Sequence, residues 1–381
     1  MRNILFHPVP SKTCVPMLAG LALAMAGLPT HAAENYKLRQ APLGAFGGEI
    51  AAGVDNPGLF GTASLTYLDI YKIVDANGKA ITTPAIAPIP LNSTYSVTYP
   101  ASTLNVSQSQ TQLNLVGGYL TENQYANGRV AFAVNVPLIA QNRNFAINQP
   151  AGTITPTPTS PVPGPLTAGA GLANSAVQSR ISAANAAASM DVTGFGDTEV
   201  SAVWVRHQDR LKVAAGMSVF VPTGAFDIAR NTNKAPNPGF GNFYTIRPGV
   251  AVTYNLNPNH MDTAWDAGVT VAGRLSYGIN TENKDTKYMS GDFVYAEIGA
   301  VKVSGNWAFG TNLFLTQQVT DDRLNGVTIA ANRYKTYGFG PFLSYKLPGK
   351  DAGFNLQYSD NFGGVNAIVA RSLQLRFVKA W

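Results

Sequence analysis

Between residues 244 and 256 every second residue is apolar: Tyr244, Ile246, Pro248, Val250, Val252, Tyr254 and Leu256 fall on one side of an extended chain. Thr245, Arg247, Gly249, Ala251, Thr253 and Asn255 fall on the other. A period of two marks a β-strand with unlike faces. The apolar side also carries a tyrosine near each end. Aromatic rings favour the boundary between hydrocarbon and water, so aromatic rims point to a strand facing lipid. The pattern recurs in Trp265, Ala267, Val269, Val271, Leu275 and Tyr277, from Leu211 to Val221, from Val130 to Leu138, and in Tyr337, Phe339, Pro341, Leu343 and Tyr345. These stretches are long enough to cross a bilayer when tilted, which takes about 9–11 residues. A soluble two-domain β-sandwich is the competing fold, but its strands would be shorter and would lack the paired rims.

Twelve strands are expected, centred near residues 67, 114, 135, 202, 216, 249, 272, 297, 313, 340, 356 and 373; the first alternates poorly over Thr62 to Ile70. Short connections (121–128, 207–210, 257–262, 304–306, 348–351) take turns with longer ones (75–106, 141–196, 223–241, 280–291, 320–332), and the last, 360–366, is short. This asymmetry predicts an all-β transmembrane antiparallel up-and-down barrel with short periplasmic turns, long outer loops and both termini in the periplasm. The chain ends Leu373, Leu375, Phe377, Lys379, Trp381 on one face. Phe377 and the terminal Trp381 resemble the signal that the barrel-assembly machinery reads in outer-membrane proteins.

The N-terminus departs from this pattern. Arg2 and Lys12 precede an apolar run from Val15 to Leu28 and then Thr30-His31-Ala32, the layout of a secretory signal peptide (residues 1–32) cut after Ala32. The run is too short for a helix spanning about 30 Å of hydrocarbon. Cys14, the sole cysteine, lies within it, so the mature chain has neither disulfide nor thiol nucleophile. Residues 33–60, rich in glycine, form a lead-in to the first strand or a plug inside the lumen; residues 61–381 form the barrel. Residues 150–190 interrupt it with a Pro/Thr tract and then an Ala/Ser/Gly run, in which Ala173–Ala187 can form a short helix. They are read as a loop that narrows the pore or as a disordered surface loop.

Composition narrows the classes. Charged residues make up 13% of the chain, against about 25% in ordinary soluble domains. Losing Arg2 and Lys12 with the leader takes the formal charge from +6 to +4, without any basic cluster, so no nucleic-acid partner is expected. No later segment has 18 uninterrupted apolar residues, which excludes helical spans. Of four histidines, His7 and His31 leave with the leader, and His207 and His260 fall in predicted turns. No nucleophile elbow, phosphate loop or metal-spaced set is present, so neither catalysis, cofactor nor metal is expected. Asp285 and the pair Asp321-Asp322 could bind a cation in outer loops, but are read as solvated loop acids.

Candidate chemistry lies in the wall. Consistent alternation turns Arg247, Arg274 and Glu297 inward, with Arg247 opposite position 273 and Arg274 opposite Glu297. The three could set ion selectivity or simply pair with one another and a plug. Phe293, Tyr295 and Phe314 also point inward and suit an apolar ligand among polar groups. Arg371 is read as outward, near the outer rim, within reach of anionic lipid head groups.

Several strings occur together: Gly194-Phe-Gly-Asp-Thr198, Pro222-Thr-Gly224 with Asp227, Asn283 and Thr286 with Tyr288 and Ser290-Gly-Asp292, Gln317-Gln318 followed by Asp321, and Gly338-Phe-Gly-Pro341. Their order and spacing resemble the outer-membrane family named for the phenol-degradation meta-pathway, over roughly residues 45–381. The resemblance implies a transporter associated with aromatic catabolism, whose partners are the bilayer, outer-leaflet lipid and a small hydrophobic or aromatic solute. It carries over no catalytic residue. A general or ion-selective porin and a non-transporting envelope barrel are the alternatives.

Overall fold

A computed structural model describes residues 33–39, 56–83 and 85–381; the expected leader and residues 40–55 lie outside them. Twelve long strands follow one another: β1 (Gly58–Val74), β2 (Ser102–Leu120), β3 (Arg129–Asn148), β4 (Thr198–Gln208), β5 (Leu211–Val221), β6 (Thr245–Asn255), β7 (Val269–Asn280), β8 (Phe293–Ser304), β9 (Trp307–Gln318), β10 (Lys335–Lys346), β11 (Ala352–Val365) and β12 (Ala367–Ala380). Each pairs antiparallel with its neighbours, and β1 pairs with β12, from Phe60↔Ala380 to Val74↔Ala367, so the sheet closes. Closure leaves no strand edge unpaired, the condition a sheet must meet in lipid.

Alternation sorts the faces as expected. Val250, Leu275, Ile298, Leu313 and Leu375 point outward with about half their surface exposed, while Ser64, Asn114, Glu297, Asn312 and Gln357 are buried inside. So wide an apolar exterior would be a liability in water and matches hydrocarbon. Aromatic pairs mark its two ends. Trp307 and Tyr345 stand 4.5 Å apart, and Phe354 and Phe377 5.0 Å apart, at the short-turn end. Tyr337 and Phe362 stand 5.2 Å apart at the long-loop end. Trp381 is exposed beside Lys379, whose ammonium sits 5.0 Å from its ring.

The first strand and two connections differ from expectation. β1 begins at Gly58 and runs through the poorly alternating stretch, extended by pairing on both sides. The turn between β6 and β7 covers residues 256–268 instead of 257–262, because Asn257, Asn259 and Asp262 each accept a hydrogen bond from the amide two residues on. That run of side-chain-capped turns leaves Trp265 outside the strand, 82% exposed. The last loop shrinks to Asn366, whose left-handed φ of +46° reverses the chain between β11 and β12.

The chain divides into two compact units. One holds the barrel and residues 33–39. The other comprises the described parts of Ile81–Asn105 and Ala146–Ala186. In it three short strands (Ile89–Pro90, Ser96–Thr98, Thr153–Thr155) form a small sheet. Helix α1 (Gly164–Ala188) buries Leu166, Ala170, Ala173, Val177 and Ile181, a spacing that keeps one helical face inward. Asn174 Oδ1 accepts from Gly152 N at 2.8 Å, and Asn185 Oδ1 from Ile147 N at 2.9 Å. The insertion is therefore folded, not a disordered loop, and its helix starts nine residues before Ala173.

Candidate functional site

Two clusters of charge stand on the inner face of the barrel. The first lies at mid-wall. Arg274 and Glu297 are direct register partners on β7 and β8, as alternation predicts, and their side chains pair at 2.9 Å. Glu297 is fully buried and also accepts from Tyr295 Oη at 2.8 Å and from Asn312 Nδ2. The Arg274 guanidinium lies 4.9 Å from the Tyr295 ring centre. Arg247 does not sit opposite position 273. Register pairs Ile246↔Ile279 and Gly249↔Ser276 place it five residues further along β7, because the β6–β7 turn is longer than the sequence suggests. It bonds Glu199 of β4 instead. Both arginines are thus neutralised by wall carboxylates, and neither is a free cation ringing a pore.

A cavity of about 380 Å³ remains between these pairs. Its lining mixes the small apolar side chains of Val116, Ala133 and Ala251 with the hydroxyls and amides of Ser64, Asn114 and Asn135 and with the charged groups of Glu199, Arg247, Arg274 and Arg376. The three inward aromatics are placed as alternation predicts, but all are buried. Tyr295 packs on Phe314 behind the Arg274–Glu297 pair, and Phe293 packs into a cluster with Leu38 and Tyr334. Arg371 is exposed and outward, and it meets Asp69 at 2.9 Å across β1 and β12.

The second cluster surrounds residues 33–39, which are held inside the long-loop end. Glu34 N donates to Ser290 Oγ at 3.2 Å, and the Glu34 carboxylate accepts from Asn231 Nδ2 at 2.8 Å and Asn283 Nδ2 at 2.9 Å. Arg39 forms a buried pair with Asp197 at 2.8 Å, donates to Gly241 O at 3.1 Å, and lies 3.9 Å from the centre of the Phe243 ring. Asp197 also accepts from Gly224 N at 3.0 Å and Phe240 N at 2.9 Å. Any side chain at 224 would meet Gly239 Cα at 2.6 Å, so glycine is required there. Asp322, expected in solvent, is fully buried in this cluster, while its neighbour Asp321 pairs with Arg333 at 2.7 Å.

The strings Gly194–Thr198 and Asn283–Asp292 meet residues 33–39 directly, through Asp197, Asn283 and Ser290. Pro222–Gly224 and Gln317–Asp321 act one step away, through Gly224 N on Asp197 and Gln318 on Asp322. Glu34 and Arg39 anchor this segment and Glu199 holds Arg247 at mid-wall, and none of the three stood out in the sequence; Asp197 lies within the Gly194–Thr198 string. The contacts join residues up to 289 positions apart, with no local signal except the strings themselves.

Lys37 is the weak point of the segment. The residue is half-exposed, but its Nζ is buried without a hydrogen-bond partner. Burial, reinforced by Arg143, lowers its pKa from 10.5 to about 7. A lysine depressed in the docked state costs most below about pH 7, and the cost fades as pH rises towards 10.5. Lys37→Met should therefore hold the segment more firmly. Its advantage over the wild type, read by protease protection of residues 33–39, should be largest below pH 7 and vanish near pH 10.5. An advantage that does not vary with pH would contradict this account of Lys37.

A family model described as "Putative MetA-pathway of phenol degradation" matches residues 96–377. Among solved structures, the chain is similar to an outer membrane channel from Pseudomonas putida F1, with a TM-score of 0.59 and 11% identity over 90% of this chain and 100% of that one. Weaker likenesses are the transport unit of the autotransporter AIDA-I from Escherichia coli (TM-score 0.45, 8% identity, 96% and 99% covered) and the P. putida toluene transporter TodX (TM-score 0.38, 10% identity, 87% and 92% covered). The first carries the barrel fold. No curated protein matches the chain.

Proposed function

The chain belongs to the phenol-degradation MetA-pathway family, and on that premise we propose that it is an outer-membrane channel for passive uptake of small hydrophobic or aromatic compounds. The carrying observation is the mid-wall cavity of about 380 Å³, lined by small apolar groups with scattered hydroxyls and amides, by Arg376, and by Arg247 and Arg274, which are each paired with a wall carboxylate. Pockets that hold small ligands are mostly apolar with a few fixed polar groups. A compound with one ring and one hydroxyl suits such a lining better than a hydrated ion does. In this reading the short turns and both termini face the periplasm, the long loops face outward among outer-leaflet lipid, and the assembly machinery reads Phe377 and Trp381. A porin driven by Arg247 and Arg274 is disfavoured, because both are paired. A barrel that transports nothing is favoured only by the docked 33–39 segment.

Calorimetric titration of the purified barrel with phenol tests the cavity. Saturable binding is expected, and Ala251→Phe, which fills the cavity, should weaken it at least tenfold while the barrel stays folded. Binding that is absent, or unchanged in Ala251→Phe, would remove the cavity from the route.

A further inference from the structure

Asp322 is a buried carboxylate with no cationic side chain paired to it among the described residues. Its side chain is fully excluded from solvent, and five neutral donors converge on it. Gly291 N approaches Oδ1 at 2.7 Å, joined there by Gln318 Nε2. Tyr288 Oη at 2.6 Å, Asn332 Nδ2 at 2.9 Å and Ala33 N at 2.9 Å approach Oδ2. Among the described residues no lysine, arginine or histidine forms an ion pair with it. An ionised carboxylate held away from water normally has a cationic partner. Burial raises the pKa of this one, although its donors oppose the rise.

The donor from the N-terminal segment is the backbone nitrogen of Ala33, the residue that would come first if the leader were cut after Ala32. Ala33 is itself fully buried. We propose that Asp322 is the receptor for the mature N-terminus, so that removal of the leader supplies the cation that locks residues 33–39 into the lumen. Hydrolysis of the Ala32–Ala33 peptide bond by a leader peptidase consumes one water. Ala32 departs with a carboxylate, and Ala33 gains an amine that takes up a proton, its unperturbed pKa being about 7.7–8.0. The neutral amide seen at 2.9 Å then becomes an ammonium at the same place. A charge-assisted bond replaces a neutral one, and such bonds are roughly twice as strong. The barrel thus closes on itself only when export is complete, whatever solute it carries.

The test uses the mature chain. Protein isolated from membranes is analysed by mass spectrometry, and a chain starting at Ala33 is also refolded with its α-amine free or acetylated. The isolated chain should begin at Ala33. In planar bilayers the free-amine barrel should stay closed, and the acetylated one should open at least tenfold more often. Asp322→Asn should open to a similar extent, and acetylation should then add nothing, the signature of two groups acting on each other. A different mature N-terminus, equal closure of the free and acetylated chains, or additive effects in Asp322→Asn would overturn the proposal. If Asp322→Asn does not fold, the free and acetylated wild-type chains still decide the matter.

Discussion

Arg39→Ala should turn a closed barrel into a conducting one. Arg39 and Asp197 have side chains 1% and 4% exposed, so the pair is desolvated on both sides. Removing one partner of such a pair leaves a buried charge uncompensated and costs about 3–5 kcal/mol. The loss falls on docking of the 33–39 segment, not on the barrel wall, because the Arg39 side chain bonds only Asp197, Gly241 and Phe243 among the described residues, and none of these lies within a barrel strand. At about 1.4 kcal/mol per factor of ten, even the lower figure shifts the docked-to-released ratio roughly 100-fold. Bilayer recordings should show frequent openings in Arg39→Ala where the wild type is quiet. Heat-shifted gel migration should show both barrels folded. Arg39→Lys should open to an intermediate degree, since an ammonium can reach one carboxylate oxygen but cannot also donate to Gly241 O and cover the Phe243 ring. A quiet Arg39→Ala barrel would mean that the remaining contacts of residues 33–38 suffice.

Glu297→Ala should act on the wall itself. Glu297 is fully buried and serves three donors: the Arg274 guanidinium, the Tyr295 hydroxyl and the Asn312 amide. Its loss strands a mostly buried cation together with two polar groups, a penalty of about 3–5 kcal/mol from the broken ion pair alone. The midpoint of urea unfolding in lipid vesicles should fall well below that of the wild type. Arg274→Met in the same chain should recover part of the loss by removing the stranded cation, which separates an electrostatic cause from a packing defect. If Glu297→Ala unfolds at the wild-type midpoint, the mid-wall pair is not structural.

Strand identity was legible wherever one face is buried and the other is not. The register of Arg274 on Glu297 followed from alternation because the loop between β7 and β8 is symmetric about the fold point. Arg247 was displaced by five residues because Asn257, Asn259 and Asp262 build a turn from side-chain hydrogen bonds, which hydrophobic period does not record. Glu199 escaped notice for a related reason. Val203, Ala214 and Ala251 line the cavity, so apolar residues lie on both faces of β4, β5 and β6, and the phase of β4 blurs. Residues 33–39 have no period at all. Their partners at 197, 231, 283, 290 and 322 meet only after the barrel closes. The strings that resemble the family were visible as strings, but their convergence on the N-terminal segment was not. An aspartate next to another in a loop is usually solvated, and only the tertiary structure covers Asp322.

The proposed barrel is closed to ions by its own N-terminal segment yet open to small aromatics. Its most direct test places the wild-type barrel in vesicles whose outer leaflet is lipopolysaccharide, a layer that slows apolar solutes on its own. Entry of phenol and ionic conductance are then measured on the same preparation. The account predicts phenol entry well above that of empty vesicles, with conductance near baseline. Conductance without accelerated phenol entry would contradict it.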